Sequence, residues 1–146
     1  VRDIENVIIP SYIKVINNYV FSNCKQLKSV TFESNSSLEF LRYSVFSYSS
    51  GPEKIIFPPS LKEIGSSSFF NCKNVKYLEF LSKSIKLGSE FISYCASLLS
   101  VSFPNADNII LDGSAIDNIS KETKFYVRRD VIIFCKRCYK MNEFIF

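Results

Sequence analysis

Apolar residues return along this chain in a fixed rhythm rather than in a single core block. A short strand-like unit, apolar-x-x-apolar-x-apolar, reads Ile4-x-x-Val7-x-Ile9 and then Leu27-x-x-Val30-x-Phe32. It returns as Pro52-x-x-Ile55-x-Phe57, Val75-x-x-Leu78-x-Phe80 and Leu98-x-x-Val101-x-Phe103. From Ile9 to Phe32 is 23 residues, to Phe57 a further 25, to Phe80 23 and to Phe103 23. Alternation at period two predicts a strand in each copy. Pro10, Pro58 and Pro104 follow three of them, where a residue without an N–H ends a ladder.

The second half of each copy is also in phase. Ile13/Ile16, Leu38/Leu41 and Leu61/Ile64 are apolar pairs three apart, which predicts one side of a short helix or turn. Gly65 and Gly88 share a position and are expected to take a positive φ. Phe21, Phe46, Phe69 and Ile92 share another, and Cys24, Ser49, Cys72 and Cys95 a third. The two extra residues of the second copy fall in the polar stretch Ser34-Asn35-Ser36-Ser37, where a loop accepts an insertion.

One copy cannot bury its apolar face alone. Stacked copies place equivalent side chains at the strand spacing of roughly 4.8 Å, so the pattern predicts a solenoid with a parallel sheet on one curved face and short helices or turns opposite. Residues 1–120 read as about five coils. The fifth breaks phase: Leu111 stands where glycine is expected and Ala115 where a large residue is expected. The same phase puts a sixth strand near 121–126, with Lys124-Phe125-Tyr126-Val127 suited to it. Asp130 then caps a predicted helix through Cys135 to about Asn142, so 121–146 reads as a terminal strand and capping helix of the same domain.

The pattern at Ile55-Ile56-Phe57-Pro58-Pro59-Ser60-Leu61-Lys62-Glu63-Ile64-Gly65, continued by Phe69, Cys72 and Val75, resembles the BspA-like, Treponema-type leucine-rich repeat. The resemblance covers about residues 4–104 and departs from the family pattern at Ser49, Arg42 and the fifth copy. It implies a protein-binding or adhesion module without catalytic residues or cofactor, often at a cell surface, and it carries over no ligand site.

Charge alters little until the end of the chain. Residues 1–120 hold 11 basic and 11 acidic residues, whereas 121–146 hold 7 and 3, which is the entire net +4. Arg128, Arg129, Lys136, Arg137 and Lys140 form the basic cluster. It reads first as the solvated side of the capping helix and alternatively as an anion- or nucleic-acid-binding surface, although no nucleic-acid motif accompanies it. No apolar run approaches the roughly 18 residues of a membrane span. The chain opens on Val1 without a signal-peptide pattern, as a fragment or processed form does.

Candidate chemistry is sparse. Cys135-Lys136-Arg137-Cys138 is a C-x-x-C, yet the chain has no His and no second such pair to complete a zinc site, and no βαβ pattern for a redox motif. Packing in the cap is the preferred reading, with flanking cations that lower a thiol pKa keeping a redox role as the alternative. Cys24, Cys72 and Cys95 read as buried thiols: Cys72 and Cys95 lie one coil apart, but parallel Cβ vectors disfavour a bond. Asn35-Ser36-Ser37 and Asn118-Ile119-Ser120 match the glycosylation pattern at the rate expected of an Asn- and Ser-rich chain. Asp112 and Asp117 have no paired base, so no hydrolase arrangement can be built and no small-molecule substrate is implied.

Alternation also defines the candidate site. Residues between the inward apolar positions point outward. One row is Ile8, Thr31, Ile56, Glu79 and Ser102, and its neighbour is Asn6, Ser29, Lys54, Tyr77 and Ser100. A protein ligand is expected on this face, centred on Ile56 and Tyr77, with Lys54 and Glu79 supplying charge. The competing reading is that these side chains only cover the sheet.

Overall fold

Each apolar-x-apolar segment is a four-residue strand. They are β1 (Asn6–Ile9), β3 (Ser29–Phe32), β5 (Lys54–Phe57), β7 (Tyr77–Phe80), β9 (Ser100–Phe103) and β11 (Lys124–Val127). The computed structural model describes residues 3–135 and 144–145. Strands pair in parallel in the register that the repeat dictates: Val7 faces Val30, Ile55 faces Leu78, and Val101 faces both Leu78 and Phe125.

Where the apolar pairs predicted short helices, the chain forms a second line of strands, and no helix occurs among the described residues. These are β2 (Val15–Ile16), β4 (Phe40–Leu41), β6 (Glu63–Ile64), β8 (Ser84–Leu87), β10 (Asn108–Leu111) and β12 (Ile132–Cys135). They make one continuous six-stranded parallel sheet. The spacing of three has a plain origin. Ile13 N–H bonds Pro10 O at 3.1 Å and Leu61 N–H bonds Pro58 O at 3.2 Å, so the first apolar residue closes a turn and the second lies in the strand. So short a segment cannot nucleate a helix by itself, while the neighbouring coil offers it ladder partners.

The capping helix expected from Asp130 is likewise absent at its start. Ile132–Cys135 is strand β12, paired with β10 (Ile110 to Phe134, Leu111 to Cys135), and Cys135 is disulfide-bonded. Phe144–Ile145 forms β13 beside β11. The remainder of the expected helix, including Lys136, Arg137, Cys138 and Lys140, lies outside the described residues. With β11 and β12 the chain makes a sixth coil.

The phase break in the fifth coil comes from a single extra residue. Leu111 pairs with Leu87, 24 residues back, and Asp112 N–H bonds Leu87 O at 3.0 Å, as Gly88 N–H bonds Ile64 O at 2.8 Å. Asp112 therefore occupies the glycine position, and the buried Ile116, not Ala115, is the counterpart of Ile92.

Gly65 and Gly88 are also not where the chain turns left-handed. Positive φ recurs twice in each of the first four coils, at Tyr19, Ser44, Ser67 and Glu90 and at Asn23, Tyr48, Asn71 and Tyr94, and once in the fifth, at Asn118. Gly65 and Gly88 are absent from this set because their role is close approach. A Cβ on Gly65 would stand 2.6 Å from the carbonyl carbon of Arg42, and one on Gly88 2.6 Å from the nitrogen of Ser66. These contacts are between backbones of adjacent coils, which cannot yield without separating the coils.

The core between the two sheets is built of side-chain columns. Phe57, Phe80 and Phe103 are fully buried and stack at 5.0 and 5.3 Å between ring centroids. Phe21, Phe46 and Phe69 stack at 5.4 and 5.0 Å. Beside the second column runs a line of short donors. Cys72 Sγ donates to Phe46 O at 3.0 Å, Cys95 Sγ donates to Phe69 O at 2.8 Å, and Ser49 Oγ donates to Phe21 O. Serine is thus an equivalent residue at this position, because what the position requires is a small donor to the preceding coil's carbonyl. Burial pushes the Cys72 thiol well above its ordinary range, so the proton it donates is retained. Cys72→Ser is expected to change stability by less than about 1 kcal/mol, and Cys72→Val to cost about 0.5–1.5 kcal/mol through loss of the bond to Phe46 O, which keeps its second bond from Ser49 N–H. Urea denaturation of the two variants measures the difference.

Candidate binding face

Strand alternation divides each β1-line strand into buried and outward residues. Tyr77, Glu79 and their partners follow the predicted rows: Lys54 faces Tyr77, Tyr77 faces Ser100, Ile56 faces Glu79 and Glu79 faces Ser102. In coils one and two, Asn6 faces Ser29 and Ile8 faces Thr31. Ile8 is 67% exposed, Ile56 45% and Tyr77 37%, while Thr31 and Lys54 are exposed and Glu79 and Ser102 half-buried. Lys54 Nζ lies 3.8 Å from Glu79 Oε2, a diagonal pair across β5 and β7.

The two rows do not form one uninterrupted sheet. β1 and β3 pair with each other, and β5, β7, β9, β11 and β13 form a separate sheet. Where Leu27 and Val75 stand in flanking coils, the third coil has Pro52, preceded by Gly51 at φ 75°. A Cβ at Gly51 would meet Val75 Cγ2 at 2.4 Å. Proline provides no N–H, and the two-residue insertion after β3 enlarges the opposite loop. Phe32 and Phe57 still touch, with centroids 5.5 Å apart, but at 47°, against 5° for Phe57 and Phe80. Ile8 and Thr31 therefore sit on one side of a discontinuity, and Lys54, Ile56, Tyr77, Glu79 and Ser102 on the other.

Several exposed aromatic and apolar residues escaped the sequence reading. Tyr126 faces Ser102 and is 46% exposed, with Ile145 beside it. Extending the alternation into Lys124–Val127 identifies Tyr126 directly. Tyr48, Phe70 and Tyr94 form a ladder along the turns, with centroids 5.5 and 5.2 Å apart. On the outer face of the second sheet Ile110 is paired with Phe134, and both are exposed. That group could not be found while the segment was read as helix.

The basic cluster is partly neutralised. Arg128 bonds Asp107 at 3.0 Å and Asp130 at 2.8 Å, whereas Arg129 is exposed. Among the described residues, no three His, Cys, Asp or Glu side chains gather to hold a metal ion, and no helix is long and apolar enough to cross a membrane.

No curated protein matches the chain. Two solved structures match the chain. One is a leucine-rich repeat protein from Bacteroides ovatus ATCC 8483, at 17% identity and TM-score 0.49, over 98% of this chain and 48% of that one. The other is the pneumococcal vaccine antigen PcpA, at 14% identity and TM-score 0.37, over 92% of this chain and 68% of that one. This chain thus spans about half the length of the first. The BspA type leucine rich repeat region matches residues 1–143 in six copies, the number of coils built by the paired strands. With that match over nearly its whole length, the chain belongs to the BspA-type leucine-rich repeat family.

Proposed function

We propose that this chain is a non-enzymatic protein-binding module that engages its partner through the outer face of β5, β7, β9 and β11, within a surface or adhesion protein. The observation that carries the reading is the exposure of Ile56 and Tyr77 on adjacent strands of a parallel sheet, with Tyr126 further along the same face. Large apolar and aromatic side chains fixed on rigid strands are the type that anchor interfaces, because little rotamer entropy is lost when they are covered. Their charged neighbours Lys54 and Glu79 suit the rim of such a contact. Leucine-rich repeats commonly serve protein binding, and solenoids commonly bind on an extended sheet face.

Replacing both residues, Ile56→Ser with Tyr77→Ser, tests the reading. Neither side chain belongs to the core, so thermal stability is expected to change by no more than about 1 kcal/mol. Capture of protein partners from a host or self extract by the immobilised variant is expected to fall at least tenfold. Undiminished capture by a folded double variant moves the site off this face.

A further inference from the structure

The discontinuity between β3 and β5 has a chemical consequence of its own. In the regular coils the ladder is closed by bonds such as Lys28 N–H and Ser29 N–H to Glu5 O, and Lys76 N–H and Tyr77 N–H to Glu53 O. No such bond joins coil two to coil three at this level, and β3 and β5 share no pairing. Because Glu53 O and Phe57 O accept from β7's side, at Tyr77 and Leu81, alternation turns the peptide groups of Lys54 and Ile56 the other way, toward β3. Their N–H and C=O groups therefore have no ladder partner. They open on a cleft of about 590 Å³, whose lining includes Phe32, Ile56, Pro58 and Leu81, with Thr31 and Lys54 among its polar residues. That volume is within the usual range for ligand sites, which join apolar walls to a few fixed polar groups.

We infer that this cleft is the anchor site of the binding face, and that it takes one large apolar side chain of a partner polypeptide together with the peptide group that carries it. A hydrocarbon would fill the apolar walls and leave the strand's donors and acceptors unmatched. A phosphate or a sugar would address the polar groups and leave the walls uncovered. A peptide offers an N–H and a C=O at the spacing of another backbone, attached to a side chain that removes Phe32, Ile56 and Leu81 from water. The inference rests on the proposed protein-binding reading and gives it a specificity: an apolar residue within an extended segment.

The test is an NMR titration of the whole chain, uniformly labelled with ¹⁵N, with two blocked peptides, acetyl-Gly-Phe-Gly-amide and acetyl-Gly-Ser-Gly-amide. The Phe peptide is expected to give saturable shifts of the Thr31, Lys54 and Ile56 amides, and the Ser peptide to bind at least about tenfold more weakly. Ser36→Trp, placed at the rim to fill the cleft, should abolish the shifts. Ile56→Pro removes one of the open N–H groups without breaking a ladder bond, and should weaken the Phe peptide by a similar factor. Equal shifts with both peptides, shifts spread over other apolar surface, or no saturable response at Lys54 and Ile56 overturns the inference. If the double serine variant loses partner capture while the wild type ignores the Phe peptide, the face reading stands and the anchor site does not.

Discussion

Phe69→Ala is expected to cost about 3–5 kcal/mol of folding stability, the usual range for emptying a buried Phe site. Phe69 has no exposed surface, stacks on Phe46 at 5.0 Å and meets Phe57 edge-on at 6.0 Å. Its loss therefore interrupts the turn-side column and also frees one side of the strand-side column. Glycine-tight backbone contacts between coils prevent collapse into the void, since Gly65 and Gly88 already bring neighbouring chains together. Urea unfolding measures the cost. A loss below about 1 kcal/mol would mean that Phe69 does not support the column.

A chain ending at Ser120 is expected to aggregate or to unfold at a much lower temperature. That truncation removes β11 and β12 and uncovers Val101, Phe103, Ile109 and Leu111, all now buried. At roughly 1.5–3 kcal/mol for each side chain, the exposed apolar surface is comparable to the whole stability of a small domain, about 5–15 kcal/mol. It also leaves the β9 and β10 edges without partners, and open parallel edges template association. Light scattering after size exclusion, with a thermal melt, reports both effects. A monomer ending at Ser120 with unchanged melting would show the sixth coil to be dispensable.

How far the molecule could be read from its sequence follows from which interactions repeat. The β1-line strands were legible because each places two buried side chains at period two and keeps phase over about 23 residues, from Val30-x-Phe32 to Val101-x-Phe103. Register and outward rows followed, as Lys54 opposite Tyr77 shows. The second sheet was misread because Leu61 and Ile64, three apart, satisfy a helical face as well as a turn followed by a strand. Pairing with Phe40–Leu41 and Ser84–Leu87 decides between them, and that pairing is tertiary. Glycine was misassigned for a similar reason. The residue type reports that space or conformation is restricted, and only the neighbouring backbone at Arg42 tells which. The cleft arises from Pro52 and the Ser34–Ser37 insertion acting on the same strand gap, and a linear reading treats those as separate irregularities.

The constant register between coils also bears on how the chain reaches this structure. Val7 meets Val30, Ile55 meets Leu78, and Val101 meets Phe125, so each contact closes a loop of one repeat and none joins distant ends of the chain. Loop-closure entropy is then the same at every step, whatever the number of coils. A coil that has formed presents the next with finished ladders, including the left-handed corners at Asn23, Tyr48, Asn71, Tyr94 and Asn118 that an isolated repeat would resist. Assembly is accordingly a growth process along the solenoid axis, slow to nucleate and quick to extend, and its weakest junction is the one between the second and third coils.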